Sequence, residues 1–270
     1  MDLQLLLGEA RSIPAFNFND QFDLAAVVAA LEVKGRPGIL MISMEAIKYS
    51  GLDFLFEIFK FHRRHASQPL FIQLDHCRDE DTLLRAAELD FDAVMADYSH
   101  LGLEENIGHV TRITDLLKDR RCLVEAAPTQ IANTAGPHEG GPTLTSPDLL
   151  RRFAAESGCH LLAPDLGTLH GFGRDKPPIN QPRVKELVHS SPVPVAAHGC
   201  DFLAPGQLGL LSGAGVHKLN VGPQLRVAWC EAARQAWKEH DLREPDQRRV
   251  HRAAGEAVRA EAETILDMLT

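Results

Sequence analysis

"FIQLDHC", residues 71–77, has the composition of a buried strand that finishes in an acid, an imidazole and a thiol. Its apolar side chains suit a sheet interior, whereas Asp75 and His76 are costly to bury unless they are paired or bind a ligand. The stretch therefore has two interpretations. Either a strand happens to finish in polar residues, or it delivers an acid and a ligand to a functional site, and the surrounding segments must decide.

Runs of apolar and β-branched residues recur along the chain. Together with 70–76 they form a series of eight whose starts lie 22 to 38 residues apart, the length of a strand, a helix and two turns. The other seven runs are 13–19, 38–44, 92–98, 122–128, 160–166, 193–199 and 215–222. This repeat predicts an α/β protein with the (β/α)8, or TIM barrel, architecture rather than an open doubly wound sheet.

The segments between these runs carry helix signals. Residues 20–35 and 146–158 each begin with a capping side chain and end at a glycine. Two more helices are predicted after the last strand, over about 224–240 and 246–268, where they would pack outside the barrel or mediate assembly. We expect residues 1–270 to form a single barrel domain.

The composition limits the classes of partner. Of the 270 residues, 44% are apolar, and the formal net charge is −9 without any gathering of the basic residues. This argues against nucleic acid or an anionic membrane surface as the main partner. The chain starts without a basic region, no apolar run has the length of a transmembrane span, and the five cysteines form no C-x-x-C pair. These features predict a cytoplasmic protein with reduced thiols.

Polar residues gather at the predicted carboxyl ends of the strands, where a barrel of this kind places its chemistry. They are Asn17, Ser43, Asp75, His76, Asp97, Ser99, Glu125, His170, His198 and Asn220. A lone histidine at a strand end is usually a satisfied core or rim residue, but three at one mouth beside an acid favour a metal site. Neutral imidazoles are good ligands for Zn²⁺, and three of them leave coordination positions open for substrate oxygens.

Several separated motifs stand out along the chain. They are "LDH" at 74–76, "SHLGLEENI" at 99–107, "VEA" at 124–126, "GTLHG" at 167–171, "HG" at 198–199 and "KLNV" at 218–221. Together they resemble the motifs of one enzyme family, the class II, metal-dependent fructose- and tagatose-bisphosphate aldolases. Their order and spacing agree from "PAFN" at 14–17 nearly to the carboxyl terminus, so the resemblance covers almost the whole chain.

The resemblance implies a TIM barrel and an aldolase that makes or cleaves a carbon–carbon bond through a zinc-stabilised enediolate of a hydroxyketone. It implies that His76, His170 and His198 hold one Zn²⁺ per chain and that Asp75 is the acid–base group. The predicted substrate-binding positions are Asn17, Ser43, Gly171, Gly199, Asp201 and Asn220. The positions predicted to support the ligands are Asp97, Ser99 and Glu125.

The resemblance also has implications for what the protein binds. It predicts a small sugar or sugar phosphate as substrate, allows for a monovalent cation beside the zinc ion, and predicts a homo-oligomer, either a dimer or a tetramer. Neither nucleic acid nor a membrane is expected as a partner.

Two departures from the family pattern fall where the family binds the phosphate of its donor. The family commonly reads H-G-G-S-G and N-V-N-T-D there, whereas this chain has H-G-C-D-F at 198–202 and N-V-G-P-Q at 220–224. The proline that replaces threonine lacks an N–H and a hydroxyl, and the Asp201 carboxylate would repel a dianion. We therefore expect a divergent member that uses dihydroxyacetone phosphate poorly as donor. The alternative is that Asp201 faces solvent and that Arg174 or Lys176 binds the phosphate.

Three functions stay open at this point. They are an aldolase with an altered donor, an isomerase or epimerase that uses the same metal chemistry, and a non-catalytic partner subunit of an aldolase. Asp75 and the three histidines argue against the last, because a non-catalytic subunit has no need of that set. Glu139, in the loop 129–143, is a reserve acid–base residue.

Overall fold

The computed structural model describes residues 2–9, 12–131, 145–239 and 245–269, and it contains eight parallel strands in one sheet. The strands are β1 (Ile13–Asn17), β2 (Gly38–Ser43), β3 (Leu70–Cys77), β4 (Ala93–Ala96), β5 (Leu123–Ala126), β6 (Leu161–Leu162), β7 (Ala196–Ala197) and β8 (Lys218–Val221). Neighbouring strands follow the order β6-β5-β4-β3-β2-β1-β8-β7, and an isolated parallel bridge from Leu162 to Val195 joins the two edges. The sheet is therefore a nearly closed barrel, and the predicted (β/α)8 fold is confirmed.

Helices of the described residues surround this barrel. They are α1 (Leu3–Leu7), α2 (Gln21–Lys34), α3 (Met44–Ser50), α4 (Leu52–His65), α5 (Glu80–Glu88), α6 (Leu103–Leu117), α7 (Pro147–Ser157), α8 (Gln181–Ser190), α9 (Gln207–Gly213), α10 (Pro223–Lys238) and α11 (Gln247–Asp267). The predicted caps are present, because the side chains of Asp20 and Ser146 accept N–H groups at the starts of α2 and α7. The two predicted carboxyl-terminal helices pack against each other, and α11 also packs against α2. None of the helices in the described ranges has both the length and the apolar content to cross a membrane.

Two strands are much shorter than the apolar runs that predicted them. Only two residues of the run 160–166 and two of the run 193–199 pair with neighbouring strands. After these residues the chain leaves the sheet and forms the loops at the barrel mouth. After β6 the N–H of Asp165 donates to Thr145 Oγ1, and Oδ1 of Asp165 accepts a hydrogen bond from the N–H of Gly167. This turn directs the chain towards the segment that carries His170.

The third strand contains a bulge that strict alternation of side chains does not predict. Its pairing with β4 shifts register between Leu74 and Cys77, and His76 has a φ of 47°, in the left-handed region. Regular alternation would turn Asp75 and His76 to opposite faces of the sheet. The bulge leaves both side chains at the barrel mouth. Such a conformation costs a non-glycine residue on the order of 1–3 kcal/mol, which the surrounding structure must offset.

The barrel interior is apolar at its amino end and polar towards its carboxyl end. Leu3, Leu6 and Leu7 of α1 close the amino end by packing against inward-facing side chains such as Phe71 and Met95. The next inward-facing layer includes Gln73, Glu125 and Lys218, each fully buried. Filled layers of this kind make the interior a core rather than a channel. The polar mouth at the carboxyl end is therefore the candidate position of a functional site.

Candidate metal centre and active site

Three histidines, one in a strand and two in the segments that follow two other strands, converge at the barrel mouth. His76 lies in the bulge of β3, His170 in the loop after β6, and His198 directly after β7. One ring nitrogen from each lies within 4.8 Å of the others, so the set could hold a metal ion. The ring centroids are 4.8 to 5.5 Å apart. The structure thus brings together all three residues that the sequence predicted as metal ligands.

Two carboxylates orient two of these rings. Asp97 Oδ2 lies 2.7 Å from Nδ1 of His76, and Glu125 Oε1 lies 2.6 Å from Nε2 of His198. Each carboxylate is hydrogen-bonded to one nitrogen of the neighbouring histidine ring, and the other ring nitrogen points inward. His76 Nε2 and His198 Nδ1 therefore face each other at 3.0 Å. Carboxylate partners of this kind are typical of metal-binding histidines, whose tautomer they set.

The third histidine supplies a test of whether these residues fit an ion. His170 Nε2 is buried and has no hydrogen-bond partner among the described residues. A buried polar atom without a partner is unfavourable unless a ligand satisfies it. Because His170 belongs to the same cluster as His76 and His198, the residues fit a divalent ion that prefers imidazole ligands.

Charges around the cluster determine the protonation of the rings. Burial lowers the pKa of His170 and of His198, so both rings are neutral at neutral pH. Burial acts in the same direction on His76, but the carboxylates of Asp75, Asp97 and Glu125 outweigh it and raise the pKa of His76 to about 9. The three carboxylates therefore stabilise a positive charge on the His76 ring.

A buried network supports the cluster from inside the barrel. Glu125 is fully buried and accepts hydrogen bonds from Gln73 Nε2 at 2.8 Å and from Lys218 Nζ at 2.7 Å. Burial would raise the pKa of Glu125, but the charge of Lys218 and the hydrogen bond from His198 hold it well below its usual range. Gln73 was missed by the sequence analysis. Its position two residues before Asp75 on the same strand face was the available signal.

Asp75, the predicted acid–base residue, lies beside the histidines in the same pocket. Its Oδ2 accepts a hydrogen bond from Asn17 Nδ2 at 3.1 Å, which orients the carboxylate. Its Oδ1 is buried and has no hydrogen-bond partner in the described part of the chain. One oxygen is therefore held in place, and the other has no partner among the described residues.

Most of the predicted substrate-binding residues line one pocket with the histidines and Asp75. They are Asn17, Ser43, Gly199, Asp201 and Asn220. Gly171 does not line the pocket that the described residues form, and its substrate role stays a prediction. The pocket also contains Asn19, Glu45 and Arg226, which sequence reasoning missed although the first two lie two residues after the ends of β1 and β2. Glu139 lies outside the described residues.

Asp201 and Lys176 are engaged differently from what the sequence suggested. Asp201 is only 2% exposed, so the alternative in which it faces solvent is wrong. Its Oδ1 accepts the backbone N–H groups of Gly222 and Gln224, each at 2.9 Å. Lys176 Nζ donates to the carbonyl oxygens of Leu169 at 2.6 Å and of Gly199 at 3.1 Å. The lysine thus bridges the loops that carry His170 and His198, and its ammonium group is occupied by the protein itself.

Comparison with known proteins agrees with this geometry. The family model "Fructose-bisphosphate aldolase class-II" matches residues 7–270. A sulfofructosephosphate aldolase from Alkalicoccus urumqiensis is 26% identical, over 86% of this chain and 82% of that protein. A fructose-bisphosphate aldolase from Thermus caldophilus is 28% identical, over 93% of this chain and 90% of that protein.

Solved structures show the same architecture. A protein from Coccidioides immitis, assigned as a fructose-1,6-bisphosphate aldolase, superimposes with a TM-score of 0.85 at 26% identity and covers 99% of this chain and 94% of that one. The YdjI aldolase from Escherichia coli K12 also has a TM-score of 0.85, at 23% identity, with 99% and 96% of the two chains covered. At that identity the second likeness concerns the fold alone.

Proposed function

This chain belongs to the class II fructose-bisphosphate aldolase family, and from that membership we propose that it is a zinc-dependent aldolase that acts on a hydroxyketone. The observation that carries the proposal is the convergence of three imidazole nitrogens beside a carboxylate that has a free oxygen. Imidazole ligands with an open position facing a pocket suit Zn²⁺ better than Mg²⁺ or Ca²⁺, which prefer oxygen ligands.

His76, His170 and His198 are the proposed ligands, and the buried carboxylates of Asp97 and Glu125 hold two of the rings in the binding orientation. With an ion bound, neutral ligands would leave its positive charge available to stabilise the negative charge that develops on the ketone oxygen of the substrate. Lys218 pairs with Glu125 in the interior and has no route to the substrate as a Schiff-base lysine.

Asp75 is the proposed acid–base residue. In the cleavage direction its carboxylate takes the proton from the hydroxyl group of the carbon that becomes the aldehyde. The electrons of that O–H bond form the new C=O bond, the carbon–carbon bond breaks, and its electron pair passes to the ketone fragment. In the condensation direction the protonated Asp75 returns the proton to the new alkoxide. Oδ1 is the acting oxygen, because Oδ2 is held by Asn17.

The same proposal includes a small sugar or sugar phosphate as substrate, a cytoplasmic location and a homo-oligomer. The relatives from Alkalicoccus urumqiensis and Thermus caldophilus, named after phosphorylated sugars, support the substrate class. Light scattering during size-exclusion chromatography tests the dimer or tetramer.

Metal analysis and product analysis on one preparation test the function. We expect about one zinc ion per chain, and we expect His170→Ala to lose it while the exposed control His189→Ala retains it. Full zinc occupancy in His170→Ala would show that the centre is misplaced. The zinc enzyme should convert a ketose into two carbonyl fragments. A single isomer or epimer as product would assign the isomerase alternative, and a metal-free, inert protein would assign the non-catalytic one.

A further inference from the structure

The start of α10 forms one wall of the pocket, and every backbone N–H group there already has an acceptor. The N–H groups of Gly222 and Gln224 donate to Asp201 Oδ1, each at 2.9 Å, and Pro223 between them has none. The next two, those of Leu225 and Arg226, donate to the carbonyl oxygen of Gly222 at 3.1 and 3.3 Å. The start of a helix normally offers free N–H groups to an anion. Here that capacity is used up by a carboxylate of the chain itself.

Side-chain donors at the same end of the pocket are used as well. Gln224 Nε2 donates to Glu261, and Gln224 Oε1 accepts the N–H of Phe202 at 2.7 Å. The ammonium group of Lys176 lies on two main-chain carbonyl oxygens. Asp201 itself is 2% exposed, so water screens its charge poorly. Burial raises the pKa of Asp201, whereas the N–H groups of Gln224 and Gly222 and the Lys176 ammonium stabilise its charged form. A phosphate group at the start of α10 would meet a buried carboxylate and no free N–H group among residues 222–226.

We propose that Asp201 acts as a built-in anion at the start of α10, and that the substrate group bound there is an uncharged hydroxymethyl group rather than a phosphate. The proposal rests on the aldolase function proposed above and names its donor class, an unphosphorylated hydroxyketone. Asp201 is in this view a specificity-determining residue. Arg226, the cationic side chain in the pocket, is exposed and lies over the Phe172 ring at 5.2 Å, so it offers an anion contact at the rim instead.

Electrostatics set the size of the expected preference. A carboxylate about 5 Å from a phosphate, at an effective dielectric constant of about 20, weakens binding on the order of a hundredfold. The zinc-loaded wild-type protein should therefore bind dihydroxyacetone more tightly than dihydroxyacetone phosphate, although most phosphate-binding sites would give the opposite order.

Calorimetric dissociation constants for these two compounds on zinc-loaded protein test the proposal without requiring turnover. Asp201→Asn keeps the shape and an oxygen acceptor for the N–H groups but removes the charge, and it should shift the ratio of the two constants towards the phosphate at least about tenfold. Asp201→Gly also frees the N–H groups and should shift the ratio further. Asp175→Asn, which removes the charge of an exposed neighbour of Lys176, is the control and should leave the ratio unchanged.

The outcomes separate this proposal from the one on which it rests. If the wild-type protein binds dihydroxyacetone phosphate as tightly as dihydroxyacetone, or if Asp201→Asn leaves the ratio unchanged, the built-in anion is wrong and the aldolase function stands. If neither compound binds to the zinc-loaded protein, both proposals fail. Should Asp201→Gly not fold, because it removes a helix cap, the ratio measured for Asp201→Asn still decides the question.

Discussion

Asp75 lies in the pocket that the histidines line, and only one of its carboxylate oxygens has a partner among the described residues. The Asn17 amide donates to Oδ2, and Oδ1 accepts no hydrogen bond there. The bulge in β3, with His76 at a φ of 47°, allows the neighbouring residue to face the same pocket. An acid and a ligand can therefore come from consecutive positions on one strand.

Replacing Asp75 by Asn should separate proton transfer from metal binding. We expect kcat for cleavage to fall by about 10² to 10⁴, because general acid–base groups contribute on that order, while the zinc content stays the same. Steady-state kinetics and metal analysis of the same preparation measure both effects. Asp81→Asn, on the exposed face of α5, is the control. Near wild-type kcat in Asp75→Asn would mean that another residue transfers the proton, and Glu139 would be the next to replace.

At the scale of elements, the loops after β6 and β7 are joined by a side chain. Lys176 Nζ bridges the carbonyl oxygens of Leu169 and Gly199, which adjoin His170 and His198. Main-chain carbonyl oxygens that converge in this way are also what a monovalent cation binds. The ammonium group thus positions two proposed ligands relative to each other.

Lys176→Met should weaken zinc binding about 10- to 100-fold, the usual effect of removing a group that positions metal ligands. Potassium or ammonium ions should partly restore the affinity, because they can occupy the two carbonyl oxygens. Zinc affinity measured against a competing chelator, with and without potassium, tests both statements. The exposed Lys185→Met serves as control. Wild-type zinc affinity in Lys176→Met would show that the bridge has no role in holding the loops.

A hydrogen bond near the start of β5 should make the free energy of unfolding depend on pH. His160 Nδ1 accepts the N–H of Val124 at 3.1 Å, and burial lowers the pKa of His160 in the folded protein. The unfolded chain therefore binds more protons, so this contribution to the free energy of unfolding is present above about pH 6.5, the ordinary histidine value, and is lost as the pH falls below it. Urea unfolding at several pH values should show a weaker acid sensitivity in His160→Gln than in His109→Gln. Equal sensitivity in both would contradict the assignment.

On the scale of the whole molecule, stability and chemistry lie at opposite ends of the barrel. The amino end is closed by α1, whose Leu3, Leu6 and Leu7 are 4%, 6% and 2% exposed, whereas Leu5 on the same helix is 73% exposed. The carboxyl end carries the buried charges of the site. Substitutions at the amino end should therefore change stability without changing the chemistry.

Leu7→Ala should lower the free energy of unfolding by about 2–5 kcal/mol, as for other buried leucines, and should leave kcat/KM unchanged at temperatures where the protein stays folded. Leu5→Ala, in the same helix, should change stability by less than about 0.5 kcal/mol. Chemical denaturation and steady-state kinetics of the two variants measure the separation. A loss of kcat/KM in folded Leu7→Ala would show that the two ends of the barrel are coupled.

The barrel itself could be predicted from the sequence, because its signals are local. Apolar runs at the spacing of a strand and a helix, caps such as Asp20 and Ser146, and polar residues at strand ends all depend on neighbours in the chain. The same signals predicted that His76, His170 and His198 would meet, since all strands of a parallel barrel end at one mouth.

What the tertiary structure decided is which groups satisfy one another across the barrel. Asp201 was expected to bring a charge to the pocket, which it lines, but its partners there, the N–H groups of Gly222 and Gln224, could not be predicted from the sequence. The Gln73–Glu125–Lys218 network likewise joins three strands. The sequence shows that a charged residue needs a partner if it is buried, but which residue is that partner depends on strand register and on the path of the loops. These follow from the packing of the whole barrel, because no local pattern encodes a distance between residues far apart in the chain.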